Sequence, residues 1–362
     1  MTKLLSIIIP TYNMEAFLDK CLSSLILENK EDRESLDVII VNDGSKDKSL
    51  EIAQSYERQY PEMFSVIDKV NGNYGSCINA ALPRVKGKYV RILDADDSYN
   101  TNDMPAYLEI LERENVDIVL TDYLNVNEKG DILSQSHIDA PARRIIQFSD
   151  IHVSEFIEMH CVTYRSSIFK DIHYHQTEGV SYTDLEWVFH PMCKVSSAYY
   201  YDKVIYIYLN GREGQTVDVN VILKRLSHME KGLWSMLTVY STISNDNPSY
   251  DYLTSVIKYR AKLLYIWGMD KKAIFDLKTY DLKLKEDYPY IYQMATAFTL
   301  PIGIGDLQMP IVKMWRMVRS KYGLYLFPKY IIYCLKNRYI DKKNKLKLFL
   351  IKHNLLHIYK VP

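Results

Sequence analysis

Apolar, β-branched runs alternate with amphipathic stretches along the first hundred residues of this chain. The runs "KLLSIIIPTYN", "LDVIIVN", "FSVIDKV" and "KYVRIL" each predict a strand buried on both faces, because near-continuous Val/Ile/Leu runs are typical of parallel sheets. Between them, stretches such as "EAFLDKCLSSLI" and "NYGSCINAALPRV" have apolar residues at helical spacing. This alternation predicts an α/β fold with a doubly wound, mostly parallel central sheet.

The later part of the chain has a different pattern. A further helix, "PAYLEILERENV", and strand, "DIVLTDYLNVN", follow Asp103, and residues 145–210 mix short helices with strands such as the Tyr-rich "SAYYYDKVIYIYL". From about Val217 onward the spacing is mainly helical. We therefore expect an α/β domain over residues 1–215 and a mainly helical region over 216–362.

The charge is unevenly distributed although the formal net charge of the 362 residues is zero. Residues 310–362 contain 13 Lys and Arg and one acidic residue, a net charge of +12, which leaves −12 on residues 1–309. No apolar run approaches the ~20 residues of a membrane span, and no signal-peptide pattern is present at the start. We expect a cytoplasmic protein.

The cysteines favour neither a disulfide framework nor a zinc site. They are odd in number and widely spaced, and none belongs to a CxxC pair. We expect the cysteine side chains to be buried and to pack as small apolar groups; they are Cys21, Cys77, Cys161, Cys193 and Cys334.

Polar residues follow several of the predicted strands. Tyr12 follows the first and Asp43 the second, and ligands of parallel sheets bind at the carboxyl ends of strands. After the fourth strand, "LDADDS" places three carboxylates, Asp94, Asp96 and Asp97, within four positions. Such a cluster suits a divalent cation, because like charges repel each other. A phosphoryl-transfer carboxylate pair and a solvated turn are the alternatives.

The ordered motifs "IIIPTYN", "VNDGSKDKS", "NGNYGSCINAAL" and "LDADDS" resemble those of the inverting family 2 glycosyltransferases of the GT-A fold, of the bacterial surface-polysaccharide type. The resemblance covers roughly residues 4–215. It implies a nucleotide-binding half over residues 1–100, an acceptor half over 101–215 and a basic helical region beyond them. The implied activity is metal-dependent transfer of a sugar from a nucleotide-sugar donor, with a UDP-sugar favoured, to a glycan or lipid-linked glycan.

The resemblance also implies roles for individual residues. The metal, Mn²⁺ or Mg²⁺, maps onto Asp96 with His190 as a second candidate ligand, and Asp97 is a neighbour that shapes the loop or an additional ligand. His160, Arg91 and Lys88 receive no role. The donor site maps onto Pro10, Thr11, Tyr12, Glu15, Asp43, Gly75, Asn79, Asp94, Ala95, Arg212 and Gln215.

Inverting transfer needs a general base that takes the proton of the acceptor hydroxyl. "EGVSYTDLEWVFHP" offers two carboxylates, and we assign the base to Asp184, with Glu186 as the alternative. The family usually has a Glu-Asp pair here, whereas this chain has Thr183 before Asp184. The competing interpretation is a helix start that Thr183 or Asp184 caps.

The C-terminal tail and the Asp-rich motif each allow more than one interpretation. The basic, aromatic tail predicts contact with an anionic membrane surface, in preference to nucleic acid, and a solvated helical region is the alternative. "ILDADDS" also fits a haloacid-dehalogenase-type phosphatase with Asp94 as nucleophile and Asp96 as acid. A nucleotidyltransferase and a non-catalytic nucleotide-sugar-binding subunit complete the alternatives.

Overall fold

A ten-stranded sheet forms the centre of the first part of the chain. The computed structural model describes residues 3–152, 156–211, 219–270, 272–301 and 308–319. The strands of this sheet are β1 (Leu5–Thr11), β2 (Leu36–Asn42), β3 (Phe64–Asp68), β4 (Tyr89–Ile92), β5 (Ser98–Tyr99), β6 (Ile118–Val126), β7 (Ile132–Gln135), β8 (Ile145–Gln147), β9 (Val162–Arg165) and β10 (Ser197–Leu209).

The strand order is β3-β2-β1-β4-β9-β6-β10-β5, with β7 paired to β6 and β8 paired to β10. Strands β1 to β4 pair in parallel, and β6 and β10 pair in parallel with each other. Strand β9 is antiparallel to both of its neighbours, β4 and β6, and therefore joins the two parallel groups. The predicted α/β fold with a doubly wound central sheet is confirmed, and the antiparallel strands are concentrated in its second half.

The first helices lie in the connections between the strands of this sheet. They are α1 (Leu18–Ser23), α2 (Lys30–Ser35), α3 (Ser49–Gln59), α4 (Asn73–Ala81), α5 (Met104–Arg113), α6 (Ser167–Asp171) and α7 (Asp184–Trp187). The later helices are α8 (Val219–Lys224), α9 (Leu226–Tyr240), α10 (Tyr250–Gly268), α11 (Leu277–Asp287), α12 (Pro289–Ala295) and α13 (Ile311–Arg319). A two-stranded antiparallel sheet, β11 (Thr299–Pro301) and β12 (Gln308–Pro310), lies among these.

Strand β1 lies between β2 and β4, and this position explains its sequence. Ile7, Ile8 and Ile9 point alternately to opposite faces of the sheet, and all three are fully buried. Both faces of β1 are therefore covered, as the continuous apolar run predicts. Polar motifs follow the carboxyl ends of β1, β2 and β4. Because these strands are parallel, the polar motifs lie at the same edge of the sheet.

The chain divides into two compact units, residues 1–215 with 231–257, and residues 216–230 with 258–362. In the described part of the second unit, a buried ion pair connects α13 to α11. The Arg316 guanidinium lies 2.7 Å from a carboxylate oxygen of Asp281. The Tyr265 hydroxyl of α10 donates a further hydrogen bond to Asp281. Within the described residues, no helix has the length and apolar character needed to cross a membrane.

Candidate active site

The first part of the site lies at the carboxyl ends of β1 and β2, which a backbone hydrogen bond connects. The backbone N–H of Asp43 donates to the carbonyl of Thr11, and both residues are buried. The Asp43 carboxylate accepts hydrogen bonds from the Lys69 ammonium at 2.7 Å and from the backbone N–H of Gly72 at 2.9 Å. Beside them the ring of Tyr12 is 46% exposed. An oriented carboxylate, an ammonium and an exposed ring suit a planar base that has both donors and acceptors.

The loops that follow β1 and β2 are hydrogen-bonded to each other. Pro10 is the next-to-last residue of β1, in register with Val41 of β2, and the loop after β1 contains Glu15. The Glu15 carboxylate accepts from the backbone N–H of Lys48, and the Glu15 N–H donates to the Asp47 carboxylate. The structure thus gives Glu15 a role in fixing the loops that flank Tyr12.

The Asp-rich turn after β4 is tightly organised. Ala95 is buried, and the backbone N–H of Asp97 donates to the carbonyl of Asp94. One Asp97 oxygen accepts from the Tyr206 hydroxyl at 2.5 Å, and the other accepts from the backbone N–H of Leu209 at 2.7 Å. Burial, together with the charges of its neighbours Asp96 and Asp94, raises the pKa of Asp97 well above its usual value. Asp97 therefore links the turn to strand β10.

One group of potential metal ligands occurs among the described residues. Asp94, Asp97 and His160 each offer a ligand atom, and these atoms lie within 4.8 Å of one another. Asp96 and His190, the predicted ligands, do not belong to this group. The sheet topology explains why His160 joins the two aspartates. The turn with His160 precedes β9, and β9 pairs with β4, which the Asp-rich turn follows.

His160 is fixed by its surroundings. Its ring lies against the rings of Tyr123, Tyr206 and Tyr208, and its backbone carbonyl accepts from the buried Arg91 guanidinium. Burial and the positive charge of Arg91 lower the pKa of His160 to about 3, so the imidazole is neutral at physiological pH. Its Nδ1 atom is buried and has no hydrogen-bond partner among the described residues.

Tyr74, at the start of α4, links the Asp-rich turn to the assigned base. Its hydroxyl donates to an Asp94 carboxylate oxygen at 2.8 Å. Burial, the charge of the hydrogen-bonded Asp94 and the charge of Asp184 raise the pKa of Tyr74 well above its usual value. The charges of Asp94 and Asp184, 90 positions apart in sequence, thus act on the same hydroxyl.

The short helix α7 begins at Asp184 and is held by two buried side chains. The Gln176 amide nitrogen donates to both the carbonyl and the hydroxyl of Thr183, each at 2.9 Å. One oxygen of Glu186 accepts from the backbone N–H and the hydroxyl of Thr177, each at 3.0 Å. Glu186 is 1% exposed, whereas Asp184 is half-buried. The structure thus separates the two candidate bases into an accessible carboxylate and a buried one with structural contacts.

Helix α4 supports the same segment from the other side. Asn79 donates to the carbonyl of Gln176 at 2.8 Å and accepts from its N–H at 2.9 Å. A Cβ atom at Gly75 would overlap the carbonyl oxygen of Thr177, so only glycine allows this approach. Both residues were predicted at the donor site, and the structure shows them in contact with the segment that precedes Asp184.

Among the described residues, the predicted ligand His190 does not belong to this group. His190 is buried against the rings of Tyr174 and Phe189, and burial lowers its pKa to about 4. Arg212 and Gln215 lie outside the described residues.

Several site residues were not assigned a role from the sequence. Lys69, Tyr74 and Gln176 are in none of the predicted sets, and His160 was considered and set aside. Tyr74 lies within the glycine-containing motif "NGNYGSC" and Lys69 lies two positions before it, so the motif was a usable signal. No sequence pattern around Gln176 indicates its role, because that role depends on hydrogen bonds with Asn79 and Thr183.

Comparison with known proteins identifies the family. The family model described as "Glycosyl transferase family 2" matches residues 6–173, which include the Asp-rich turn and most of the sheet. This chain is a glycosyltransferase whose residues 6–173 are similar to family 2. The predicted resemblance is therefore confirmed, and the family decides against the phosphatase and nucleotidyltransferase interpretations.

Two relatives of this glycosyltransferase differ in how much of their length is aligned. The chain is 34% identical over 119 residues to the uncharacterized glycosyltransferase EpsJ of Bacillus subtilis, a match that covers 33% of each chain. It is 28% identical over 329 residues to the uncharacterized glycosyltransferase RT0329 of Rickettsia typhi, covering 89% of this chain and 92% of the relative. The aligned part thus spans a third of EpsJ and nearly all of RT0329.

Solved structures agree on the fold. TarS 1-349 of S. aureus superposes with a TM-score of 0.55 at 18% identity, covering 78% of each chain. The same protein in complex with UDP-GlcNAc superposes with a TM-score of 0.52 at 17% identity, covering 81% of this chain and 80% of TarS. At this identity the likeness supports a shared fold.

Proposed function

We propose that this glycosyltransferase moves a sugar from a nucleotide-sugar donor, with a UDP-sugar favoured, to a hydroxyl of a glycan or lipid-linked glycan, with inversion at the anomeric carbon. The observation that carries the proposal is the sheet edge, where Asp43 and Asp94 follow the two strands that flank β1, in a chain whose residues 6–173 match the glycosyltransferase family model. A donor site and a base belong together in such a reaction, because the acceptor must attack the donor sugar directly.

Each end of the site has a distinct task in this proposal. The Asp43 carboxylate, held by the Lys69 ammonium, accepts from an N–H of the nucleotide base, and the Tyr12 ring stacks on the base. Asp184 takes the proton of the acceptor hydroxyl as its oxygen attacks the anomeric carbon and the bond to the diphosphate breaks. Glu186 keeps α7 in position through Thr177 and does not transfer a proton.

The residues around the Asp-rich turn suit a divalent cation. Two carboxylates and a neutral imidazole form a donor set acceptable to Mn²⁺ or Mg²⁺, and the unpartnered Nδ1 atom of His160 is consistent with a ligand role. We propose Asp94 and His160 of this group as ligands, with Asp96 of the same turn as the third because the resemblance maps the metal onto it, while Asp97 holds the turn through Tyr206 and Leu209. When bound, the ion would neutralise charge on the leaving diphosphate.

His160 replaces His190 in this proposal for a physical reason. The ring of His190 is enclosed by aromatic neighbours, whereas a ligand atom of His160 lies within 4.8 Å of the carboxylate atoms of Asp94 and Asp97.

The place of action is part of the proposal. The net charge of +12 on residues 310–362 favours attachment to an anionic membrane surface, with the enzyme at the inner face of the cell membrane and engaged in cell-surface polysaccharide synthesis. No nucleic-acid partner is proposed.

A thermal-shift screen tests the donor assignment. We expect one of the UDP-, GDP-, dTDP- and CDP-sugars to raise the melting temperature with Mn²⁺ present, since a ligand at 100 times its Kd stabilises by about 2.7 kcal/mol. EDTA should remove the effect. Binding without turnover on any glycan acceptor would support the non-catalytic subunit instead, and no shift with any nucleotide sugar would overturn the proposal.

A further inference from the structure

A fully buried arginine lies on the strand that leads into the Asp-rich turn. Arg91 belongs to β4, three positions before Asp94, and its exposed fraction is 0%. Burying a guanidinium costs free energy unless its N–H groups are hydrogen-bonded and its charge is balanced. The apolar residues that surround it in β4 are the ordinary choice for a buried strand, so the contacts of Arg91 indicate what the charged side chain does there.

The guanidinium of Arg91 contacts side chains of four other strands. One terminal nitrogen donates to the Thr121 hydroxyl of β6 at 3.0 Å and to the Thr163 hydroxyl of β9 at 3.4 Å. The central carbon lies over the rings of Tyr99 of β5 and Tyr206 of β10, 5.4 and 5.7 Å from the ring centroids. Hydroxyl acceptors and aromatic faces both stabilise a guanidinium, so these contacts fix it in one place.

The other terminal nitrogen connects Arg91 to the turn that contains His160. It donates to the backbone carbonyl of His160. The imidazole of the same residue belongs to the group with Asp94 and Asp97. Because the hydrogen bond fixes the backbone of His160, it also limits where the imidazole can lie.

Tyr206 gives a second connection between Arg91 and the Asp-rich turn. Its ring lies beside the guanidinium, and its ring centroid is 4.7 Å from that of His160. Its hydroxyl donates to an Asp97 carboxylate oxygen at 2.5 Å and accepts from the backbone N–H of Asp94 at 3.1 Å. One tyrosine therefore contacts Arg91 and all three members of the group.

We propose that Arg91 is a positioning residue for the metal site, which holds the His160 backbone and the Tyr206 ring so that the imidazole faces Asp94. The inference rests on the proposed metal ligands and extends them, because Arg91 acts through those residues and does not bind the ion. Residues that contact metal ligands orient them, and their loss weakens metal binding. A guanidinium suits this task better than an ammonium, because its rigid plane donates to several acceptors at once.

The test measures how much Mn²⁺ contributes to nucleotide binding by the full chain. The Kd of UDP is measured by calorimetry with EDTA and with Mn²⁺, and the first value divided by the second is the metal effect. We expect Arg91→Met to reduce the metal effect by about tenfold, in the range for residues that contact metal ligands, with the Kd in EDTA unchanged. Arg91→Lys keeps a charged donor and should reduce it by less.

Tyr89→Phe is the matched control. Tyr89 lies two positions before Arg91, on the same face of β4, and is also fully buried. Its hydroxyl also donates to backbone carbonyls, those of Glu114 at 2.9 Å and Val116 at 3.1 Å, which precede β6. The control should therefore lower the melting temperature, as Arg91→Met does, but keep the metal effect of the wild type.

The possible outcomes separate this inference from the proposed function. A wild-type metal effect in Arg91→Met, or in Arg91→Lys where the Met variant does not fold, would overturn the inference and leave the metal site in place. An equal loss in Tyr89→Phe would also overturn it, because the loss would then follow from lower stability. If the wild type binds UDP equally with Mn²⁺ and EDTA, the proposed metal site fails and the inference fails with it. Absence of UDP binding would count against the proposed donor.

Discussion

The strand edge and the base-bearing segment of this glycosyltransferase are built in different ways. Thr11 ends a buried parallel strand, and Asp43 and Asp94 follow two others, so the sheet itself sets their positions. Asp184 instead begins a helix of four residues, which is too short to be stable alone. The segment before it is held by Asn79 of α4, through a hydrogen bond to Gln176, 97 positions along the chain.

This difference shows where the site is vulnerable. Substitutions at the strand edge should remove a proposed contact to the donor but leave the sheet in place. Substitutions around residues 174–190 or on the facing side of α4 should move the proposed base without changing a proposed donor contact. Donor affinity and turnover should therefore respond separately, and three variants test that separation.

The largest expected effect is on turnover in Asp184→Asn. An amide does not take the acceptor proton, and a positioned general base contributes about 10²- to 10⁴-fold in rate. We expect kcat to fall by that amount while donor affinity stays within about twofold, because the base acts on the acceptor. Steady-state kinetics and calorimetry with the donor measure the two quantities.

Glu186→Gln is the comparison variant for that experiment. Its amide oxygen still accepts from Thr177, so we expect most turnover to remain. An inactive Glu186→Gln beside an active Asp184→Asn would show that the base is assigned to the wrong carboxylate.

The next effect is on metal-dependent donor binding at the Asp-rich turn. Asp96→Asn removes a proposed ligand charge, and we expect the nucleotide-sugar affinity with Mn²⁺ to fall by about tenfold or more, in the range for metal-site residues. Asp97→Asn should instead lower the melting temperature, because it weakens the contacts of Asp97 with Tyr206 and Leu209. Calorimetry and thermal denaturation of both variants distinguish the roles. A larger loss of metal-dependent affinity in Asp97→Asn would make Asp97 the ligand.

The smallest effect concerns the contact between α4 and the base-bearing segment. In Gly75→Ala the added methyl group would overlap the Thr177 carbonyl, so the segment must shift. We expect about 1–3 kcal/mol lower stability, as for other overpacked sites, and a lower kcat with nearly unchanged donor affinity. Chemical denaturation and steady-state kinetics measure these. A loss of donor affinity with unchanged kcat would instead support the sequence-based assignment of Gly75 to the donor site.

The sequence by itself determined the sheet and the strand-edge motifs. Periodicity is local information, and a continuous apolar run such as that of β1 has few alternatives to a buried parallel strand. The residues that follow such strands must meet at one edge, which is why Asp43 and Asp94 could be named in advance as site candidates.

Only the tertiary structure decided which side chains meet across elements. His160 joins Asp94 because β9 pairs with β4, and Gln176 holds Thr183 because α4 packs against their segment through Asn79. A lone His or Gln has no periodic neighbour that reveals such a role. Long-range packing fixes these contacts, and local propensity carries no information about it.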